Sequence, residues 1–142
     1  MVNLKIRKFN PTDAPAVIDL WQRCNLVVPW NDPQKHINRK LADGPDLFFV
    51  GEIDDRLIAC CMAGYDGHRG WIYYLAVNPD YRHRGLATQI MQYAEAVLKA
   101  QGCPKIDLMV RDTNQTAIDF YQQIGYKKDL VCVLSKRLID DE

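Results

Sequence analysis

The chain has 142 residues, the size of one domain with a full hydrophobic core, and we expect residues 1–142 to form a single domain. Its 18 basic and 18 acidic residues cancel, and no long run of like charge occurs. The composition therefore argues against nucleic acid or an anionic membrane as the main partner and favours a small ligand or a modest protein patch.

The sequence also predicts the compartment. The longest apolar runs are far shorter than the roughly 20 residues that a membrane-spanning helix needs. Residues 1–8 alternate between apolar and polar side chains instead of forming a signal peptide. We expect a soluble, cytoplasmic protein.

The cysteines and histidines predict no metal centre. The cysteines are odd in number, lack a C-x-x-C spacing and are interpreted as free, buried thiols: Cys24, Cys60, Cys61, Cys103 and Cys132. The three histidines are scattered and match no zinc spacing: His36, His68 and His83.

The first elements in chain order are a strand and a helix. Apolar and basic residues alternate over residues 4–9, which is typical of a strand buried on one face. Thr12 or Asp13 then caps a helix over residues 14–24. We interpret Trp21, on the apolar face of this helix, as a core residue in preference to a ligand contact.

The loop that follows, residues 26–33, contains two prolines and Trp30. An aromatic side chain in a loop is often exposed for recognition, but it can equally cover the edge of the core, and both interpretations stay open. Asp32 directly precedes a second predicted helix, residues 33–42, and we interpret it as the N-cap in preference to a catalytic acid.

The middle of the chain predicts three strands. Residues 47–53 and 57–65 are separated by Asp54-Asp55-Arg56, which indicates a hairpin. Residues 57–65 are apolar almost throughout, so we expect a central strand that is covered on both faces. A turn over residues 66–70 leads to a third strand, residues 71–77.

A basic turn that contains a glycine, residues 82–87, opens directly into the next helix. The first N–H groups of a helix lack internal partners and the helix dipole adds positive charge, so this turn is a candidate phosphate site. Gly85 and Ala87 leave the main chain accessible, and Arg82 and Arg84 add charge. From this turn alone, close packing of helix on strand explains the small residues equally well.

The remaining predicted elements are a strand at residues 106–110, a helix at 114–124 and a last strand at 130–135. The order is β-α-α-β-β-β-α-β-α-β, a mixed α/β sheet. A right-handed crossover places the strands 71–77 and 106–110 side by side, with their C-terminal ends together, where ligands bind in open sheets.

Two blocks of sequence resemble the GNAT superfamily of N-acetyltransferases. The first is Leu75-Ala76-Val77 followed by Tyr81 and Arg82-x-x-Gly85-x-Ala87. The second is Leu108-x-Val110-Arg111-x-x-Asn114-x-x-Ala117-Ile118-x-Phe120-Tyr121-x-x-x-Gly125-Tyr126. Their order and spacing agree, and the likeness covers residue 47 to the end. Within the superfamily the chain looks most similar to the bacterial YpeA-type acetyltransferases, on residues 29–33, 64–70 and 102–106.

The resemblance implies a GNAT-like fold in which two central parallel strands splay apart to admit acyl-CoA. It implies transfer of an acetyl group from acetyl-CoA to a primary amine by direct attack on the thioester, with no metal. The backbone of residues 82–88 would hold the pyrophosphate, residues 75–77 would pair with the pantetheine arm, and the N–H near Val77 would polarise the thioester carbonyl. The implied cofactor-binding residues are Leu75, Ala76, Val77, Arg82, His83, Arg84, Gly85, Leu86, Ala87, Thr88, Asn114, Ala117 and Tyr121.

Tyr121 is also the implied catalytic residue, as the general acid for the departing thiolate; the alternative is a core aromatic beside Phe120. No general base carries over. Histone-acetylating members place a glutamate where Trp71 stands, and the branch that acetylates ribosomal protein N-termini carries an acidic residue where Met109 stands.

The absence of an identified general base affects which amines the enzyme could use as acceptors. Only about 1 in 2,500 lysine-like amines is neutral at pH 7, against roughly one in seven α-amines. Asp66 and His68 are hypothetical replacements for the base, although a plain turn is the simpler explanation. The candidate acceptor site comprises Trp30, Asp32, Asp66 and His68, and the acceptor is a small-molecule or peptide amine.

Two other functional classes stay open. The fold can bind acyl-CoA without turnover, which would make the chain a sensor or regulatory module. A nucleotide-binding enzyme is less well supported, because no Gly-Lys-Ser/Thr follows the turn. An exposed last strand would also allow pairing into a homodimer.

Overall fold

The computed structural model describes residues 3–140. Residues 1 and 2, which begin the predicted N-terminal alternation, lie outside this part, as do residues 141 and 142. The elements are β1 (Lys5–Lys8), α1 (Ala14–Arg23), α2 (Pro33–Asp43), β2 (Phe48–Ile53), β3 (Arg56–Tyr65), β4 (Gly70–Val77), α3 (Leu86–Ala100), β5 (Ile106–Leu108) and α4 (Gln115–Gln123). No helix within residues 3–140 is both long and apolar enough to cross a membrane. The chain divides into two compact units, residues 3–108 and residues 109–140.

The first unit contains a five-stranded mixed sheet in the order β1-β2-β3-β4-β5. The first three pairs are antiparallel, and β4 and β5 are parallel. The predicted central position of β3 is confirmed, with its middle residues fully buried. The hairpin before β3 turns at Asp54 and Asp55, whose φ angles of 50° and 63° are those of a type I′ turn.

Helices cover both faces of this sheet. On one face, α3 buries an apolar stripe made of Leu86, Ile90, Met91, Ala94 and Leu98. On the other face, α1 and α2 bury Val17, Leu20, Trp21 and Ile37 against strand residues that include Phe48 and Cys60. Trp21 is therefore a core residue, as predicted.

The second unit differs from the sequence prediction. Its helix, α4, forms as expected, but the predicted strand over residues 130–135 does not. In the first unit, β5 ends at Leu108 instead of at the predicted residue 110. A strand requires a neighbour for its backbone hydrogen bonds, and no strand in the described chain pairs with residues 130–135. Leu130 and Leu134 are accordingly exposed, which shows that β propensity alone did not determine the structure.

Candidate active site

The parallel pair β4–β5 is joined over only part of its length. Gly70–Ile72 pair with Ile106–Leu108, and β4 then continues to Val77. Within residues 3–108, the segment 73–77 has β3 as its strand neighbour on one side and no strand on the other. This is the opening that the splayed parallel pair requires, and an extended ligand can lie along this edge of β4 as an added strand.

A β-bulge interrupts β4 beside this opening. Cys60 pairs with Ala76 and Met62 pairs with Tyr73, so β4 carries one residue more than β3 across this interval. The extra residue gives Tyr74 a φ of 52°, which is unusual for a bulky side chain and typical of functional sites. Sequence reasoning missed this bulge, because no glycine or asparagine marks it.

The end of β4 is fixed by a buried asparagine. The side chain of Asn78 accepts a hydrogen bond from Asp80 N at 2.9 Å, and its own N–H donates to Ile58 O at 2.7 Å. The Sγ of Cys24 donates to Val77 O at 3.3 Å. These bonds hold the last residues of β4 and direct the chain into the turn before α3.

The turn before α3 has the features of an anion site. His83 and Gly85 have φ angles of 63° and 74°, and no side chain caps the helix. The first helical bond runs from Gln89 N to Gly85 O at 3.1 Å, so the N–H groups of residues 86–88 lack acceptors within the helix. A Cβ added to Gly85 would meet no atom within 4 Å, which argues against close packing as the reason for this glycine.

Both arginines of this turn are held near it. The guanidinium of Arg84 lies 5.1 Å from the centre of the Tyr81 ring. Nη2 of Arg82 lies 3.8 Å from Cys24 Sγ. The turn therefore combines backbone donors, a helix N-terminus and two positive charges.

In the second unit, three predicted site residues share one face of α4. Asn114 caps the helix, since its Oδ1 accepts from Ala117 N at 3.1 Å. Tyr121 lies one turn beyond Ala117 on the same side. Its half-buried ring makes edge contacts with Phe120 and Tyr126, with centroids 5.1 and 5.7 Å away.

The four candidate acceptor residues have different environments. Trp30 is 64% exposed, so its side chain is available for recognition and does not cover the core. Asp32 accepts a hydrogen bond from Gln34 N at 3.0 Å and is the N-cap of α2, as predicted. His68 is exposed in the turn between β3 and β4.

Asp66 closes that same turn. Its Oδ1 accepts from the N–H groups of Arg69 and His68 at 2.7 and 2.8 Å, and its Oδ2 lies 3.4 Å from Trp71 Nε1. The two backbone donors lower the pKa of the carboxyl, which makes Asp66 a weaker proton acceptor. These contacts favour the plain-turn interpretation of Asp66.

The cysteines are all free. Cys60 and Cys61 are buried, as predicted, Cys24 and Cys103 are only half-buried, and Cys132 is exposed, so the prediction is wrong for Cys132. Burial raises the pKa of Cys60 to about 12, so its thiol stays protonated at neutral pH. Residues 3–140 contain no group of three or more side chains placed to hold a metal ion.

Comparison with known proteins places this geometry in a family. Residues 14–126 match the acetyltransferase (GNAT) family. The chain is 49% identical over 140 residues to an acetyltransferase of Sodalis glossinidius, covering 98% of this chain and 99% of the relative. The chain therefore belongs to the GNAT family of acetyltransferases.

Solved structures agree on the fold. The ribosomal-protein-S18-alanine N-acetyltransferase of Escherichia coli superimposes with a TM-score of 0.77 at 23% identity, covering 89% of this chain and 79% of that one. A predicted acetyltransferase of Clostridium acetobutylicum, solved with acetyl-CoA, gives 0.72 at 18% identity, covering 94% and 96%. The predicted family, fold and enzyme class are confirmed, and the finer likeness to YpeA-type enzymes stays a prediction.

Proposed function

We propose that this acetyltransferase moves an acetyl group from acetyl-CoA to a primary amine of a small molecule or peptide by direct attack on the thioester. The observation that carries the proposal is the open edge of β4, which leads through one short turn into the uncapped, glycine-initiated α3. Family membership and a neighbour of the same fold that contains acetyl-CoA support it.

The residues of the proposed site suit the chemistry of the acetyl donor, acetyl-CoA. The pyrophosphate of acetyl-CoA carries negative charge that the amides of residues 82–88 and the side chains of Arg82 and Arg84 can neutralise. The open space in front of Gly85 allows a phosphate to approach the main chain. The pantetheine arm has amide groups that can pair with the edge of residues 75–77, which has no β5 partner.

The transfer requires one bond to form and one to break. The amine nitrogen attacks the thioester carbon, the carbonyl oxygen gains negative charge and the C–S bond then breaks. An N–H near Val77 stabilises the oxyanion, and Tyr121 gives its phenolic proton to the departing thiolate. The amine nitrogen loses one proton and the Tyr121 phenolate regains one from water, so the products are the amide and free CoA thiol. The role of Tyr121 rests on its motif position and on the α4 face that it shares with Asn114 and Ala117.

The proposal specifies the acceptor only as a class, a primary amine of a small molecule or peptide. Trp30, Asp32, Asp66 and His68 form the proposed acceptor region, with Asp32 and Asp66 as supports of the local backbone. The Escherichia coli neighbour is named for an alanine of a ribosomal protein, and an α-amine would suit a site without an acidic base. We propose no role for nucleic acid or membrane.

The proposed extent is a single N-acetyltransferase domain, residues 1–142. The family match over residues 14–126 includes parts of both compact units, which supports one functional domain.

The proposal is tested by mixing the purified protein with acetyl-CoA and a library of amines and peptides while released CoA is detected by its thiol. We expect release that depends on the amine. Tyr121→Phe should lower kcat by about a hundredfold or more and leave the Kd for acetyl-CoA nearly unchanged. Tyr126→Phe is the matched control, because Tyr126 packs against Tyr121 and has no proposed chemical role.

Two results would contradict this account. Tight acetyl-CoA binding without transfer across the whole library would indicate a binding module instead of an enzyme. Equal losses in Tyr121→Phe and Tyr126→Phe would assign the effect to packing.

A homodimer is the proposed assembly. The basis is not a strand but the exposed apolar side chains of the segment 130–139: Leu130, Val131, Val133, Leu134, Leu138 and Ile139. Contiguous exposed apolar surface marks protein interfaces. We expect light scattering to give the mass of a dimer and the double variant Val133→Ser, Leu134→Ser to give a folded monomer; a monomeric parent protein would contradict the proposal.

A further inference from the structure

A hydrogen-bonded tyrosine and histidine lie on the α1–α2 face of β4 and have no role in the chemistry described so far. The hydroxyl of Tyr74 and Nδ1 of His36 are 2.6 Å apart. Both residues are half-buried, so the pair is shielded but reachable. The two residues are 38 positions apart in the sequence and are brought together by the packing of α2 on the sheet.

The bulge in β4 accounts for the position of Tyr74. Met62 and Cys60 belong to the core under α1 and α2, so their partners Tyr73 and Ala76 face the same side. The extra residue turns Tyr74 to this side as well, where its ring stacks on Trp21 with a centroid distance of 3.9 Å and an angle of 14°.

Sulfur contacts hold the backbone of the bulge. The indole N–H of Trp21 donates to Cys60 Sγ at 3.2 Å, and Cys60 Sγ donates to Tyr74 O at 3.4 Å. The side chain and the carbonyl of Tyr74 are thus both fixed by the buried Trp21–Cys60 pair. A strained residue held this firmly is preorganised, which is what a catalytic group needs.

The pair is placed where the acceptor amine should arrive. Tyr74 lies in the part of β4 without a β5 partner, three residues and so at most roughly 10 Å along the strand from Val77. His36 is in the first turns of α2, directly after the loop that carries the exposed Trp30. The pair therefore joins the helix that follows the proposed acceptor loop to the strand that faces the proposed thioester.

We propose that Tyr74 and His36 form the base that takes the proton from the attacking amine, an inference that rests on the proposed function. As the nitrogen–carbon bond forms, the amine N–H proton passes to the Tyr74 oxygen and the Tyr74 hydroxyl proton passes to His36 Nδ1. The imidazole accepts this proton on Nδ1 and becomes an imidazolium, and the proton later leaves by the same path, through the Tyr74 hydroxyl to water. The step needs no further reactant.

The ionisable groups around the pair are consistent with this assignment. Lys40 is one turn from His36 on α2; burial lowers its pKa, and its Nζ donates to Ala63 O at 2.5 Å. Cys60, on β3, stays protonated because burial raises the pKa of its thiol to about 12. Burial also raises the pKa of Tyr73, with a further contribution from the charge of Asp66.

The side chain of Cys24, at the end of α1, bonds to the Val77 carbonyl. Of the residue types that surround Tyr74, histidine is the one whose charge ordinarily changes between pH 5 and 8.

The test compares Tyr74→Phe and His36→Asn with the wild type in amine-dependent CoA release over a range of pH. We expect kcat/KM to fall by about a hundredfold in each variant. We also expect the decrease of kcat/KM at acid pH, which protonation of the imidazole causes in the wild type, to disappear. Acetyl-CoA affinity and thermal unfolding should change little, because Tyr74→Phe keeps the stacking on Trp21. Tyr93→Phe, on the α3 face against Phe49, is the matched control.

A second readout does not depend on turnover. In an NMR titration of the histidine side chains, we expect Tyr74→Phe to shift the pH midpoint of His36 and to leave that of His68 unchanged. Variants that lose activity but keep the imidazole limb, or an unshifted His36 midpoint, would overturn the inference while wild-type transfer still supports the proposed function. Failure of the wild type to acetylate any amine would overturn both.

Discussion

At Gly85 the main chain has a φ of 74°, a conformation that costs a residue with a Cβ roughly 1–2 kcal/mol. Gly102, at the other end of α3, has a φ of 91°. A Cβ on either residue would meet no atom within 4 Å. The two glycines therefore carry the same conformational requirement and differ in that only Gly85 adjoins the proposed phosphate site.

This difference gives a prediction at the scale of one residue. Gly85→Ala and Gly102→Ala should each lower the free energy of unfolding by about 1 kcal/mol, because both place an alanine at positive φ. Only Gly85→Ala should weaken CoA binding, by tenfold or more, since its methyl group occupies the space that the phosphate needs. Calorimetric titration with CoA and thermal unfolding measure the two effects; equal CoA affinity in both variants would contradict the assignment.

The residues also show where sequence reasoning about the site stopped. The glycine turn and the α4 motif were recognisable because each lies in a continuous stretch of sequence. Asp66 and His68 are candidate bases by their chemistry, but the carboxylate of Asp66 accepts hydrogen bonds from the backbone of the turn that it closes. Tyr74 and His36 lie 38 residues apart, and no local pattern indicates that a bulge brings them together.

At the scale of elements, the entry into α1 is tied to the sheet by an ion pair. Nη1 and Nη2 of Arg7, on β1, donate to Asp13 at 2.7 and 2.8 Å, and Arg7 Nε donates to Glu52 on β2 at 2.7 Å. Asp13 also accepts from Asn10 N at 2.8 Å. The hydrogen bond from Arg7 is the main cause of the lowered pKa of the Asp13 carboxyl.

The lowered pKa predicts a pH-dependent stability. Because the carboxyl binds its proton less tightly in the folded than in the unfolded chain, its contribution is complete above an unfolded aspartate's pKa of about 4 and is lost as the pH falls. Asp13→Asn should lower the free energy of unfolding by about 1–2 kcal/mol at pH 7 and by much less at pH 2–3. Urea unfolding at several pH values measures the difference.

The control for this experiment is Asp46→Asn. Its ion pair with Lys8 spans 3.2 Å, with both side chains more than 60% exposed. Exposed pairs contribute little, so this variant should be close to wild type at every pH. A pH-independent loss in Asp13→Asn would show that packing, and not the charge, is responsible.

Elements with internal signals were predicted well, and elements that depend on a neighbour were not. Local sequence signals predicted the helices, the N-cap at Asp32 and the hairpin before β3. Residues 130–135 have the composition of a strand, but strand formation depends on a neighbouring backbone that the described chain does not provide. For the same reason, the register shift within β4 could not be predicted from propensity.

At the scale of the whole molecule, the order of elements and two motifs were enough to predict the family, and the comparisons confirmed it. The parallel β4–β5 pair agrees with the expectation for two consecutive strands joined by a helical crossover. The acceptor could not be predicted, because its selection depends on loop side chains, and no motif in these loops specifies one amine. Trp30 and Asp66 lie in two such loops.

The central claim, that backbone amides at the start of α3 hold the pyrophosphate of CoA, is tested most directly by NMR. Spectra of the 15N-labelled protein would be recorded with CoA and with pantetheine, which lacks the pyrophosphate and the adenosine 3′-phosphate attached to it. We predict that CoA shifts the amide signals of residues 84–88 strongly and that pantetheine shifts mainly those of residues 75–77. Binding of CoA that leaves the signals of residues 84–88 unmoved would contradict the claim.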